Sequence, residues 1–246
     1  MSHYQQIKFI ELFKKHFTKD WSNKKILEIG SYDVNGTIRK YFNNNDYTGM
    51  DLIEGKGVDV VYDGKQIDFE EESFDLTLSC ECFEHNKYYR ENFLDMIKVT
   101  KKGGFVVFTC ASKGRSEHGT SRTNDASPGS QMKWDYYKNL NKKDFEKLNL
   151  KNFFDEKIFF YNSISSDLYF IGIKKGDSRN ITNFKDFTND LIETNSNNIR
   201  LDENQPKRFI KKIFQKIRKF FDIMLYNLLS DKIYQNIIFY LKKIKL

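Results

Sequence analysis

The sequence predicts an α/β protein: a doubly wound sheet of seven strands, mostly parallel with one antiparallel strand, followed by a C-terminal helical tail. Three observations carry that expectation. Five short apolar runs, separated by turns and helical stretches, fall between residues 25 and 110. Two further apolar runs, 153–161 and 167–173, are joined by a short polar connection, as in a hairpin. A glycine, Gly30, stands straight after the first run, where a strand turns toward a ligand.

Each element follows from its residues. Ile7, Ile10, Phe13 and Phe17 recur at helical intervals, so the first segment reads as an amphipathic helix lying on the body. The five parallel strands are expected at 25–29, 47–51, 58–62, 74–79 and 104–110. After the fourth, Tyr89, Phe93, Met96 and Ile97 form one apolar face of a helix. Asn141 caps a short helix with Asp144 in its first turn and Phe145 and Leu148 facing inward.

Residues 1–175 are thus expected as one domain. Residues 176–206, rich in Asn, Asp, Thr and Lys, read as a polar linker with at most a short helix around 184–192. Residues 207–246 read as a basic amphipathic helical tail. There Ile210, Ile213, Phe214, Ile217, Phe220, Phe221, Met224 and Leu228 keep helical spacing, with Lys211, Lys212, Lys216, Arg218 and Lys219 interleaved.

Composition narrows the classes. Apolar residues make up 39% of 246, enough to bury a sizeable core. The net charge of +7 is unevenly placed: the tail from Lys207 holds 11 Lys and Arg against Asp222 and Asp231. The body before it is mildly acidic, with 30 basic and 32 acidic residues, which argues against a protein built to grip nucleic acid. Three cysteines without framework spacing argue against a disulfide-stapled secreted chain. No uncharged apolar stretch approaches membrane-spanning length and no signal core opens the sequence. The expected compartment is a reducing cytosol, with the tail as a peripheral contact on the inner face of the membrane.

In such sheets ligands bind outside the carboxyl ends of the strands, so the chemistry is sought there. The first strand ends in Glu28-Ile29-Gly30-Ser31, with Gly36 six residues on. Gly30 allows close backbone approach, and the start of a following helix is expected to aim its amides there. A carboxylate in this turn repels a pyrophosphate and suits a cationic ligand with ribose hydroxyls. Asp51, ending the second strand beside Leu52, stands about 20 residues past the glycine turn, where an acidic residue accepts from both ribose hydroxyls. Asp63, ending the third strand beside Gly64, stands where an adenine amino group can donate, or is a solvated turn residue.

These motifs, with Phe74-Asp-Leu-Thr-Leu-Ser-Cys-Glu-Cys-Phe-Glu-His85 and Lys101-Lys-Gly-Gly-Phe-Val-Val-Phe, stand in order over roughly residues 20 to 175. Together they resemble the small-molecule type of class I S-adenosylmethionine-dependent methyltransferase. The resemblance implies a Rossmann-like sheet of seven strands with the last antiparallel. It also implies S-adenosyl-L-methionine held by Glu28, Gly30, Ser31, Asp51, Leu52, Asp63, Gly64, Cys80 and Glu81. There is a departure: many members carry two further glycines where this chain has Tyr32 and Val34, so the methionine end is expected to be gripped differently.

Methyl transfer needs an oriented acceptor and exclusion of water, and a hydroxyl acceptor gains from a base near neutral pKa. His85, just past the fourth strand, is the first catalytic candidate and His118 the second. Cys80, Cys82 and His85 suggest a metal site, since alternation along an extended chain aims both thiols at one face. No fourth ligand appears at metal spacing, so no metal is expected. The long segment after the fifth strand, with Arg115, Arg122, Trp134, Tyr136 and Tyr137, suits a polar ring-shaped substrate such as a sugar. Its His-Gly-Thr and Tyr-Tyr pieces resemble methyltransferases of bacterial surface-polysaccharide clusters.

The expected function is therefore O-methylation of a sugar or glycan-like small molecule. An RNA methyltransferase using the tail as an electrostatic anchor is the second reading, opposed by the acidic body and the lack of an RNA-binding module. A non-catalytic scaffold retaining the fold is the third.

Overall fold

The computed structural model describes residues 3–123, 126–176, 184–200 and 206–243, with the side chains of 195–200 and 206–216 outside that description. Seven strands form one sheet: β1 (Lys25–Ile29), β2 (Asp46–Asp51), β3 (Val60–Val61), β4 (Phe74–Cys80), β5 (Thr100–Ala111), β6 (Phe154–Asn162) and β7 (Asp167–Lys174). Their order is β3-β2-β1-β4-β5-β7-β6. β7 runs antiparallel to both its neighbours, and the other pairings are parallel. The chain steps outward from β1 through β2 to β3, then restarts at β4 on the other side. The switch point, and the crevice it opens, lies between the carboxyl ends of β1 and β4.

Strand alternation sorts the core into two layers. On β5, Val106, Phe108 and Cys110 face one layer while Phe105 and Val107 face the other. On β7, Leu168 and Phe170 oppose Tyr169, Ile171 and Ile173 in the same way. The first layer is closed by α2 (Tyr89–Val99), through Phe93, Met96 and Ile97. Two short helices, α3 (Pro128–Gln131) and α4 (Lys142–Glu146), follow β5. The Asn141 amide donates to Asp144 Oδ2 at 2.9 Å, which starts α4 as its sequence suggested.

The second layer departs from a strict strand–helix alternation. No α-helix joins β1 to β2, β2 to β3 or β3 to β4 among the described residues. That face is covered instead by the amphipathic α1 (Tyr4–Phe17) and by α5 (Phe184–Arg200). Phe9, Ile10 and Phe13 of α1 meet Phe187 and Leu191 of α5 over the sheet. The stretch expected as a polar linker therefore contains a 17-residue helix. Its few apolar residues are enough because they fall on one face: Phe187 packs on Phe9, Phe17 and His16. Residues 177–183 and 201–205 of that stretch lie outside the described residues.

The tail is two helices, α6 (Pro206–Leu228) and α7 (Asp231–Lys243). α7 docks on the segment after β5: Tyr234, Gln235 and Ile238 are buried, and Gln235 accepts from the Glu117 amide at 2.8 Å. α6 leaves Ile217, Phe220, Phe221, Met224 and Leu228 exposed. The expected apolar positions Ile210, Ile213 and Phe214, with Lys211, Lys212 and Lys216, lie outside the described side chains.

Candidate functional site

A cavity of about 700 Å³, its open mouth included, sits at the carboxyl ends of β1, β2 and β4. One end is walled by Gly30, Tyr32, Asp51, Leu52 and Tyr62, the other by Glu81, Cys82, His85, Asn86 and His118, with Trp134 over the mouth. Of the residues singled out from sequence, Gly30, Asp51, Leu52, Glu81, His85, His118 and Trp134 are brought together here.

The first turn is built tightly. Gly30 adopts φ +82°, and a Cβ there would meet Cys82 Cβ at 2.5 Å, so only glycine fits. No helix follows it: residues 31–38 form a loop ending in a 3-10 turn at Arg39–Phe42. Its amides are already engaged. Gly30 and Ser31 donate to Met50 O, Asp33 donates to Lys56 O, and Gly36 donates to Asp33 Oδ1. This corrects the expectation of a helix start aimed at the ligand; Asp33-Val34-Asn35-Gly36 is turn-forming sequence, and the loop spends its donors on itself. Tyr32, where relatives carry glycine, is accommodated by Gly55, whose missing side chain makes room for the ring.

Asp51 is 7% exposed. Its Oδ2 accepts from the Tyr32 amide at 2.9 Å and its Oδ1 from the Leu52 amide at 2.7 Å. Burial pushes its carboxyl upward, and these two amides oppose the shift. Gly64, at φ +79°, lets Leu52 and Trp134 close over it, and its carbonyl accepts from Asn86 Nδ2 at 2.7 Å. Asp63 is exposed, accepts from the Lys65 amide at 2.9 Å and does not line the cavity.

Glu28, Ser31 and Cys80 lie beneath the turn and off the cavity wall. Alternation along β1 puts Glu28 on the α1 side with Ile26, where Tyr47 Oη donates to its Oε2 at 2.7 Å. Burial, opposed by that hydrogen bond, pushes the Glu28 carboxyl up to about 7. Because the folded value exceeds the ordinary 4.5, the folded state holds a proton that the unfolded chain has lost. Stability therefore falls as pH rises from 4.5 to 7, by about 3 kcal/mol from this group. Glu28→Gln is expected to match the natural protein near pH 4 and to exceed it by up to about 3 kcal/mol at pH 8, read by denaturant unfolding. Parallel stability curves across that range exclude a buried, protonated Glu28.

Cys80 and Cys82 do not share a face. Glu81 between them adopts φ +55°, which breaks the extended chain. Cys80 is buried on the α1 side, where burial and then Glu28 push its thiol up to about 12, while Cys82 lines the cavity. The Glu81 carboxylate is buried near Asp167 and His3, and burial and Asp167 push its pKa well up.

At the other end of the cavity three groups converge. Glu84 is fully buried, and its Oε1 lies 3.7 Å from His118 Nε2 and 4.0 Å from His85 Nε2. Burial raises its pKa, but His118 and the charge on both imidazoles outweigh that and hold it at about 2. The two rings meet edge-on at 5.0 Å, with the Tyr137 ring 5.4 Å from His85 and 5.3 Å from His118. A Cβ at Gly119 would reach 2.7 Å from His85 Cε1, so glycine beside His118 makes space for that ring. The segment carrying His118 is folded back over the sheet edge. Lys138 donates to Glu84 O and Leu140 to Ala111 O, both at 2.9 Å.

The other expected substrate residues are placed elsewhere. Arg115 Nη1 donates to Ser165 O at 2.8 Å, with Asp167 behind it at 3.8 Å. Arg122 pairs with Glu117 at 3.2 Å and covers the Phe239 ring of α7. Tyr136 is half-buried and off the cavity wall. Glu84, Asn86, Cys82, Tyr32 and Tyr62 were not singled out as site residues from sequence.

Residues 30–108 match the family model of a methyltransferase domain. No curated protein matches the sequence. Among solved structures, the chain resembles a Haemonchus contortus phosphoethanolamine N-methyltransferase 2 at 17% identity and TM-score 0.49, covering 69% of this chain and 52% of that one. It resembles a putative methyltransferase from Bacillus halodurans at 14% identity and TM-score 0.48, covering 68% and 99%. It also resembles the YcgJ protein from Bacillus subtilis at 10% identity and TM-score 0.49, covering 71% and 100%. The chain spans about half the length of the Haemonchus enzyme. What each of these proteins acts on is a property of that protein. The family match runs from the Gly30 turn into β5, inside a seven-stranded sheet with the cavity at its switch point, so residues 30–108 are similar to a methyltransferase domain.

Proposed function

We propose that the enzyme methylates a hydroxyl group of a sugar or glycan-like small molecule. The observation that carries this reading is the convergence of Glu84, His85 and His118 at the acceptor end of the cavity, under Tyr137 and within reach of Trp134. A hydroxyl acceptor must lose its proton as the methyl arrives, whereas the chemistry asks mainly for orientation and dryness otherwise.

The cavity fits the cofactor. Asp51 keeps lone pairs free of the Tyr32 and Leu52 amides for ribose hydroxyls, and the loop offers no nest of free amides for a pyrophosphate. Gly30, Leu52, Gly64 and Glu81 shape the same space, with Glu28, Ser31 and Cys80 supporting the turn from beneath. Bound adenosylmethionine supplies a methyl already activated by its sulfonium. The chain's own residues do the rest: Asp51 binds and orients, Trp134 and Asn86 narrow the mouth, and the histidine centre receives the acceptor's proton.

The exposed apolar face of α6 supports peripheral contact with an anionic membrane, and no described helix is long and apolar enough to cross one. The full chain is expected to sediment with anionic vesicles and Phe220→Asp/Phe221→Asp to stay in the supernatant. Equal recovery of the two removes the membrane contact.

Incubation with labelled adenosylmethionine and a panel of free, nucleotide-linked and lipid-linked sugars tests the main reading. Label recovered as a methyl ether on a sugar hydroxyl is the expected result. Label on nitrogen or carbon of the acceptor, or none in any sugar, overturns it.

A further inference from the structure

We propose that Glu84, His85 and His118 form a binding site for a divalent late first-row transition-metal ion, zinc by preference. The metal question was posed from sequence around Cys80, Cys82 and His85, and found no complete ligand set. The fold separates those thiols and assembles a different set. One ligand atom from each of Glu84, His85 and His118 lies within 4.8 Å of the others.

The distances favour an ion over a simple contact. Glu84 is fully buried, and among the described residues neither carboxylate oxygen has a partner at ordinary hydrogen-bond distance, the imidazoles standing at 3.7 and 4.0 Å. A buried carboxyl group with no close partner is costly, and a cation between it and the imidazoles would complete it. His118 Nδ1 lies 3.1 Å from Ser116 O, and a carbonyl can only accept. That contact puts a ring proton on Nδ1 and turns Nε2 toward Glu84 Oε1, the orientation in which Nε2 can ligate a metal. Nε2 has no hydrogen-bond partner of its own. At 3.7 Å the pair is wider than a hydrogen bond and leaves room for an ion between the two atoms. A proton there would draw them to about 2.8 Å. A metal at about 2.0–2.1 Å from each ligand sets tetrahedral ligand atoms about 3.4 Å apart, within a small side-chain adjustment of the observed 3.7 and 4.0 Å.

The ligand set selects the metal. Two imidazoles and one carboxylate suit zinc, cobalt or iron, and leave magnesium and calcium, which prefer all-oxygen sites, poorly served. Tyr137 is not a ligand, because its hydroxyl is spent on Ser116 O and Asn139 Oδ1. Both imidazoles line the cavity while Glu84 lies behind them. The remaining coordination positions therefore open toward the acceptor, as in catalytic sites with three protein ligands. The inference rests on the proposed reading only in taking the acceptor to enter past these imidazoles; with an ion bound, the imidazoles would be its ligands in place of proton acceptors, the ion would polarise the acceptor hydroxyl, and the hydroxyl proton would pass to solvent water at the open side of the cavity.

The test uses the full chain, stripped with chelator and dialysed against zinc, with bound metal counted per chain and cobalt as a spectroscopic substitute. One zinc per chain is expected, with a cobalt spectrum of tetrahedral or five-coordinate type. Glu84→Gln and His118→Ala are each expected to weaken zinc binding about 100-fold or more. Adenosylmethionine binding by calorimetry reports that each variant is folded, and His118→Ala, at a less buried position, serves if Glu84→Gln does not fold. Substoichiometric zinc on the natural protein, or unchanged zinc binding in the folded variants, overturns the proposal. No acceptor is used, so failure here leaves the methylation reading standing, and a failed acceptor screen leaves the zinc count untouched.

Discussion

Phe108→Ala is expected to destabilise the protein by about 3–5 kcal/mol, a large part of the 5–15 kcal/mol that holds a typical domain together. Phe108 sits in the middle of β5 and is fully buried. Its ring lies 4.5 Å from Phe145, 5.1 Å from Phe170, 5.2 Å from Phe83 and 5.4 Å from Phe93. Truncation leaves a ring-sized void among aromatics that are themselves held by β7, α2 and α4, so the gap cannot close by moving one neighbour. Denaturant unfolding measures the loss, and a loss below about 1 kcal/mol would mean that the aromatic layer is not packed as described. The effect reaches the site as well. Phe83 immediately precedes Glu84, so loosening its contact with Phe108 frees the turn that carries Glu84 and His85.

The same layer shows what a sequence can disclose. β5 and β7 alternate between two buried faces, and their unbroken apolar runs state strand and burial together. The ligand edge was legible for a similar reason. Gly30 and Asp51 end consecutive strands of a switch-point sheet, and topology brings them to one crevice wherever the intervening loops go. His85 was legible because it follows β4 directly, and only four histidines occur in the chain, so His118 was a short search away.

What stayed hidden depends on single torsions and on polar atoms turned inward. Nothing in Cys-Glu-Cys signals that Glu81 takes φ +55° and sends the two thiols to different layers. The burial of Glu84 is not visible in its sequence, although the Glu-His pair just past β4 was part of the family resemblance. α5 is disguised by Asn, Asp and Thr, and becomes a helix because Phe187 and Leu191 find α1. Arg115 and Arg122 look like substrate-loop cations, yet Ser165, Asp167, Glu117 and Phe239 occupy them, partners that lie far away in sequence.

Asp51→Asn is expected to weaken binding of adenosylmethionine and adenosylhomocysteine about 100-fold, with the fold retained. The carboxylate can take four hydrogen bonds, and the Tyr32 and Leu52 amides use one on each oxygen. Asp51 lines the cavity, and on the proposed reading two charge-assisted bonds from ribose hydroxyls would together be worth about 3 kcal/mol or more, which is about two decades in dissociation constant. Asparagine cannot reproduce this. Whichever way the amide turns, its NH2 meets a backbone N–H at Tyr32 or Leu52, and only one carbonyl oxygen is left to accept. Calorimetric titration measures the change, and thermal unfolding reports separately on the loop. A variant that melts lower yet binds within threefold of the natural protein would make Asp51 a brace for the Tyr32 loop and leave the ribose to other groups. A variant that melts normally and binds 100-fold more weakly makes it the ribose acceptor, because a purely structural carboxylate has no reason to act on the ligand alone.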